Sequence, residues 1–240
     1  MSISAPPGQP SIGETVGSSF RDGGAIAKAN IVPAAVFIVL GTVACVTLAL
    51  SGALKAGAVP PAWFAPLITL ADLAAIVTGY YAIAGAVRTI HPEYRMTFGQ
   101  FIGMFGYSLL VGLLTMIAAM FFVIPGYWVG MKLLLTPYTY VVTNGAPDAL
   151  KTTWNMTTGY YWQTFGLVLL LGICAGAIAS VAYFIALFIG SLAPITSIVL
   201  APIVLGIVVW LMHVHALAYV RWTDGLLPRA NIPQAVPVPA

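Results

Sequence analysis

A helix that crosses a bilayer needs about 20 mostly apolar residues to cover about 30 Å of hydrocarbon. This chain meets that demand repeatedly. Apolar stretches run over 31–54, 63–87, 101–124, 127–143, 165–190 and 194–220. Breakers separate several of them: Val59-Pro60-Pro61, Pro125-Gly126 and Asn144-Gly145. Only 6% of the residues are charged, against about 25% in a soluble domain. A surface that faces lipid does not need those charges. The expected fold class is all-α, a polytopic transmembrane helical bundle of six spans with short interfacial amphipathic helices.

The fourth stretch is the weakest. It is short, it holds Lys132, and Pro137 sits in its middle, so it reads as either a span or a re-entrant piece. Loop charge discriminates between five spans and six. With six, one side carries Arg21, Lys28, Arg88, Arg95, Lys151, Arg221 and Arg229, and the other Lys55 alone. With five, the basic residues divide almost evenly. Cytoplasmic loops are enriched in Lys and Arg, so six spans with both termini in the cytoplasm are expected, in a cell (inner or plasma) membrane. Tyr160-Tyr161-Trp162, Trp222, Trp63 and Tyr127-Trp128 mark span edges, where aromatic rings prefer to sit.

Residues 1–30 form a cytoplasmic leader without a basic region followed by an apolar stretch, so the first span is expected to direct its own insertion. Ser11-Ile12-Gly13-Glu14 has the form of a capping box. Ile12, Val16 and Phe20 then share a helical face, and Gly23-Gly24 is expected to end this short surface helix. Residues 31–222 form the membrane domain. Within it, residues 146–162 suggest an interfacial helix with Leu150, Trp154 and Thr157 on one face. Asn155-Met156-Thr157 has the glycosylation pattern, a chance match if this loop is cytoplasmic. The Pro-rich tail, 223–240, is expected to be disordered.

Few residues offer chemistry. Nine basic side chains and a net charge of +3 make no basic stripe, so nucleic acid is not an expected partner. Cys45 and Cys174 lie in apolar runs and act as small apolar residues. No serine-hydrolase, zinc-protease or P-loop motif is present, so no catalytic residue, cofactor or metal is assigned. His213 and His215 are two residues apart, about 200° around a helix, and cannot share one metal; His91 is the remaining histidine.

Asp72 and Lys132 stand out as a candidate intramembrane polar pair. Each lies inside an apolar span, where a charge costs a few kcal/mol or more. Asp72 falls roughly 15 Å and Lys132 roughly 9 Å from the outer end of its span, depths that allow an ion pair. A structural pair, a snorkelling lysine and a proton or substrate role all fit. Gly99–Gly103, Gly126–Gly130 and Gly172–Gly176 repeat G-x-x-x-G, which lets helices approach closely and is read as packing within the chain. Pro137 and Pro202 are expected to kink their spans, freeing the carbonyls of Leu133 and Ile198.

The segment from Phe122 to Val168 contains Ile124-Pro125-Gly126, a turn at Asn144-Gly145, Asp148-Ala149-Leu150, Thr157-Thr158-Gly159 and Tyr161-Trp162. It resembles the membrane domain that accompanies some glycerophosphodiester phosphodiesterases and occurs alone in many bacterial six-helix proteins. Ser11-Ile12-Gly13-Glu14 through Phe20 is similar to that family's entry helix. The resemblance implies six helices and a cytoplasmic N-terminus. It implies no enzymatic activity, because the phosphodiesterase is a separate soluble barrel for which this chain has no room. Lys132 is not explained by it. The expected role is a non-enzymatic membrane protein that interacts with membrane lipids, a membrane-protein partner or a second copy of itself. The alternative is a small transporter or channel using Asp72 and Lys132.

Overall fold

The computed structural model describes residues 11–50, 64–190 and 194–227, with the side chains of 48–50 and 179–198 left aside. Lys55, Val59-Pro60-Pro61, Trp63, Arg229, the first ten residues and the tail from 228 onward lie outside the described residues. Every described element is a helix: α1 (Ile12–Ala29), α2 (Ile31–Leu50), α3 (Phe64–Ile90), α4 (Phe98–Phe121), α5 (Val123–Leu133), α6 (Thr136–Val142), α7 (Ala149–Gly190) and α8 (Pro194–Leu226). Among the described residues, Phe64–Ile90, Phe98–Phe121, Ala149–Ile178 and Val199–Leu226 are long and apolar enough to cross a membrane. The pair α1 and α2, bent by 86° at Asn30, adds a fifth if taken as one broken span.

The chain divides into two compact units. One unit gathers 86–171 with both ends of the described chain, 11–20 and 216–227. Its centre is a hairpin in which α4 is answered by α5 and α6. A capping box opens α4: the Thr97 N–H donates to Gln100 Oε1 (2.8 Å) and the Gln100 N–H to Thr97 Oγ1 (3.3 Å). The chain turns back at Phe122, and Gly126 lies so close to α4 that a Cβ there would come within 2.5 Å of the Ala119 backbone. Gly130 faces Thr115 in the same way, and Gly103 faces the Tyr140 ring. The return ends where Gln100 Nε2 donates to Asn144 Oδ1 at 2.6 Å. Asn144 (φ 56°) and Gly145 (φ 85°) occupy the left-handed region, the conformation that Asn and Gly adopt most readily.

Around the hairpin, Arg221 of α8 donates to Ser18 Oγ of α1 (2.8 Å) and His91 pairs with Asp224 (2.9 Å). Trp222 Nε1 donates to Thr164 Oγ1 at 3.1 Å, and Leu135, Val141, Leu167, Leu217 and Val220 are fully buried.

The other unit holds 21–85 and 172–215. Asn30 donates to the Tyr81 carbonyl (3.0 Å), and Thr78 Oγ1 reaches the carbonyl of Pro33 (3.1 Å). These bonds fasten the start of α2 to α3.

Some local expectations change and others hold. The capping box of α1 forms, with the Ser11 N–H donating to Glu14 Oε2 at 2.8 Å, but the helix does not stop at Gly23-Gly24. It continues to Ala29. Gly23 serves packing instead, since a Cβ there would fall 2.7 Å from the Val214 side chain. Pro137 interrupts its span as expected: α5 ends at Leu133, four residues before the proline, and α6 restarts at Thr136 with Pro137 in its first turn. The helix expected within 146–162 is present from Ala149, and a kink at Tyr160 (φ −125°, ψ 24°) separates it from the rest of α7. By contrast, Gly172 and Gly176 meet nothing within 4 Å among the described residues, so their spacing serves no packing there. α8 remains helical through Pro202.

Candidate functional site

The break between α5 and α6 is where polar chemistry collects. A helix end leaves its last carbonyls without intrahelical partners. One of them, the Lys132 carbonyl, lies 2.9 Å from the hydroxyl of Thr157 on α7, which is also 2.7 Å from the carbonyl of Thr153. One hydroxyl hydrogen serves both acceptors. One turn back along α7, Thr153 Oγ1 approaches Thr139 Oγ1 of α6 (2.8 Å), and Thr139 in turn donates to the Leu135 carbonyl (3.0 Å). Threonine hydroxyls that bond back to their own helix can be buried in apolar surroundings at little cost.

The Lys132 side chain is 4% exposed. Its ammonium donates to Thr158 Oγ1 at 2.6 Å, and Thr158 donates onward to the Trp154 carbonyl at 2.6 Å. The indoles of Trp128 and Trp154 each lie 5.3 Å from the nitrogen and stand edge to face, 5.2 Å apart. Helical spacing builds this box. Trp128 and Lys132 are four apart on α5, and Trp154 and Thr158 are four apart on α7, so each pair shares a face. None of these partners of Lys132 is a carboxylate. Two indole faces and one hydroxyl replace the counter-ion, through the attraction of a cation to an aromatic face.

Asp72 has a different setting. It lies on the exposed side of α3, beside the exposed Leu70, Leu73 and Ile76, and belongs to the other unit. The structure therefore describes the two members of the expected pair separately: Lys132 with neutral partners of its own unit, Asp72 on an apolar outer face.

His213 is buried and its Nδ1–H donates to the Val209 carbonyl (2.8 Å); its Nε2 finds no partner among the described residues. His215 donates to the Leu211 carbonyl (2.8 Å). Among the described residues no three His, Cys, Asp or Glu side chains are grouped as a metal would require.

Beside the lysine box lies an open groove of about 470 Å³. Leu114, Ile117 and Ala118 of α4 and Val129 and Leu133 of α5 form its walls, and Lys151 and Trp154 of α7 its remaining side. Trp154 is thus shared between groove and box. A second groove, of about 400 Å³ between α2 and α3, is lined by apolar residues and Tyr81.

The box was hidden in the sequence, although Trp128-x-x-x-Lys132 and Trp154-x-x-x-Thr158 carry its spacing. Trp154 and Thr157 were visible as one helical face, but that face packs on α5 and α6 instead of standing apart from them. Compared with known protein families, with curated proteins and with solved structures, the chain matches none.

Proposed function

We propose that this chain is a non-enzymatic integral membrane protein that holds lipids or a partner protein within the bilayer. The observation that carries the reading is the outer stripe of α4. Ile102, Phe105, Leu109, Leu113, Met116 and Met120 are all exposed, and their spacing of three and four keeps them on one face. From Ile102 to Met120 the stripe extends about 27 Å, close to the hydrocarbon thickness. An apolar surface of that length is not left to water.

Six crossings with cytoplasmic termini belong to the same proposal. The loop-charge asymmetry supports them, as does the hairpin that brings Asn144 back to Gln100. From Gly126 to Asn144 the return covers about 27 Å, so α5 and α6 together serve as the fourth crossing although each alone is short. A bacterial inner membrane and kinship with the phosphodiesterase-associated membrane domain complete the reading. The kinship is supported only by the residue likenesses between Phe122 and Val168.

The transporter reading is favoured by one observation, the shielded ammonium of Lys132 beside a broken helix. Flux in proteoliposomes separates the two. The non-enzymatic reading expects no solute flux above that of empty vesicles; flux that Asp72→Asn or Lys132→Met abolishes overturns it in favour of transport.

A further inference from the structure

We propose that the groove between α4, α5 and α7 binds one anionic phospholipid of the cytoplasmic leaflet, its phosphate on Lys151 and an acyl chain along Leu114, Ile117 and Val129. This inference rests on the membrane reading above.

Charge distinguishes this groove from its counterpart between α2 and α3. That one offers no charged group to identify an occupant. Here Lys151 is exposed at the rim and makes no ion pair among the described residues. The nearest acid in sequence, Asp148, is approached by the Thr152 hydroxyl at 3.4 Å. Behind the same wall, the Lys132 ammonium rests 5.3 Å from the Trp154 ring with no carboxylate among its partners. Two unneutralised cations therefore flank an apolar trough, a combination that suits an amphiphile with an anionic head.

The axial order also fits. Tyr107 donates to the Pro147 carbonyl at 2.8 Å, so the start of α7 lies beside the first half of α4. The groove then follows α4 onward to Leu114 and Ala118, away from the cytoplasmic end. A chain from a head at Lys151 would run along α4 past the bilayer centre to Ala118. The volume lies within the roughly 300–1,000 Å³ of ligand pockets. Basic side chains near the cytoplasmic leaflet attract its anionic lipids.

The test is native mass spectrometry of the detergent-purified full chain, titrated with phosphatidylglycerol or with phosphatidylcholine of the same acyl chains. Phosphatidylglycerol is expected to bind about five-fold more tightly, the about 1 kcal/mol that one basic side chain contributes at an anionic surface, at 1.4 kcal/mol per factor of ten. Lys151→Gln should remove that preference, and Ala118→Trp should weaken both lipids by filling the trough. Helix content by circular dichroism and a single gel-filtration peak verify that both variants fold. Equal affinity for the two lipids, or a preference that survives Lys151→Gln, overturns the proposal. So does displacement of phosphatidylglycerol by inorganic phosphate alone, which would make the site one for free anions. Extraction into carbonate-soluble material would instead defeat the membrane reading itself; retention in the membrane without lipid preference defeats only the site.

Discussion

The lysine box makes a sharp energetic prediction. Thr158→Val keeps the shape of the side chain and removes the oxygen that accepts from Lys132 at 2.6 Å. A hydrogen bond to a charged group contributes about 1.5–3 kcal/mol. Two indoles at 5.3 Å supply the rest of the support, about 0.5–1 kcal/mol each toward the exposed limit. That limit applies because Trp128 is 42% exposed and the cover is thin. The total, about 2.5–5 kcal/mol, is set against a desolvation cost of several kcal/mol for one buried ion. The box therefore makes the charge tolerable without making it stabilising. Thr158→Val alone should destabilise by about 1.5–3 kcal/mol. Lys132→Met, which keeps the stem and gives sulfur–aromatic contacts, should be neutral or stabilising by about 1–2 kcal/mol. In the Lys132→Met background, Thr158→Val should cost under about 0.5 kcal/mol, giving a coupling of about 1–3 kcal/mol. Equilibrium unfolding in mixed detergent micelles, followed by tryptophan fluorescence, measures all three. Strong destabilisation by Lys132→Met, or additivity of the two changes, would refute the reasoning.

Three further outcomes test other parts of the fold. Gly126→Val places a side chain against the Ala119 backbone and should lower hairpin stability by about 3 kcal/mol, at the upper end for overpacking; unchanged thermal unfolding in detergent would contradict this. Thr157→Val withdraws the hydroxyl from the Lys132 carbonyl and should cost about 1–3 kcal/mol, read by the same unfolding assay. At the start of α1, the Ser11 N–H, helped by the Ser11 hydroxyl, holds the Glu14 carboxyl below its ordinary range. The cap is therefore fully formed above the unfolded-state value and is lost as pH falls through the lower folded value. Amide exchange in the first turn, corrected for intrinsic rates, should accelerate between about pH 7 and about pH 3, but not in Glu14→Gln; no acceleration in the native sequence would refute it.

Helix placement was legible because apolar length and turn residues act locally. Asn144-Gly145 and the Ser11–Glu14 box each mark a boundary seen in the structure, whereas Pro125-Gly126 falls inside α5, just after the break at Phe122. The misread boundaries were those decided by a neighbour. Gly23-Gly24 looks like a terminator in one dimension, yet Val214 gives Gly23 another purpose. Similarly, Lys132 is a lone charge in its own segment, and its partners arrive from α7. A reading that seeks a carboxylate for every buried amine turns toward Asp72 and passes over Trp128, Trp154 and Thr158.

The distance along the chain between Lys132 and Thr158, 26 residues, also sets an order of events during synthesis. At about 5–20 residues per second, the ribosome needs about 1–5 s to deliver Thr158 after Lys132. Throughout that interval α5 carries a charge for which neither Trp154 nor Thr158 yet exists. Spontaneous partitioning of α5 is least favourable then, and α4 is its available escort, through Gly126 and Gly130. Under the membrane reading proposed above, the nascent hairpin is expected to keep its ammonium in water until the first turns of α7 emerge.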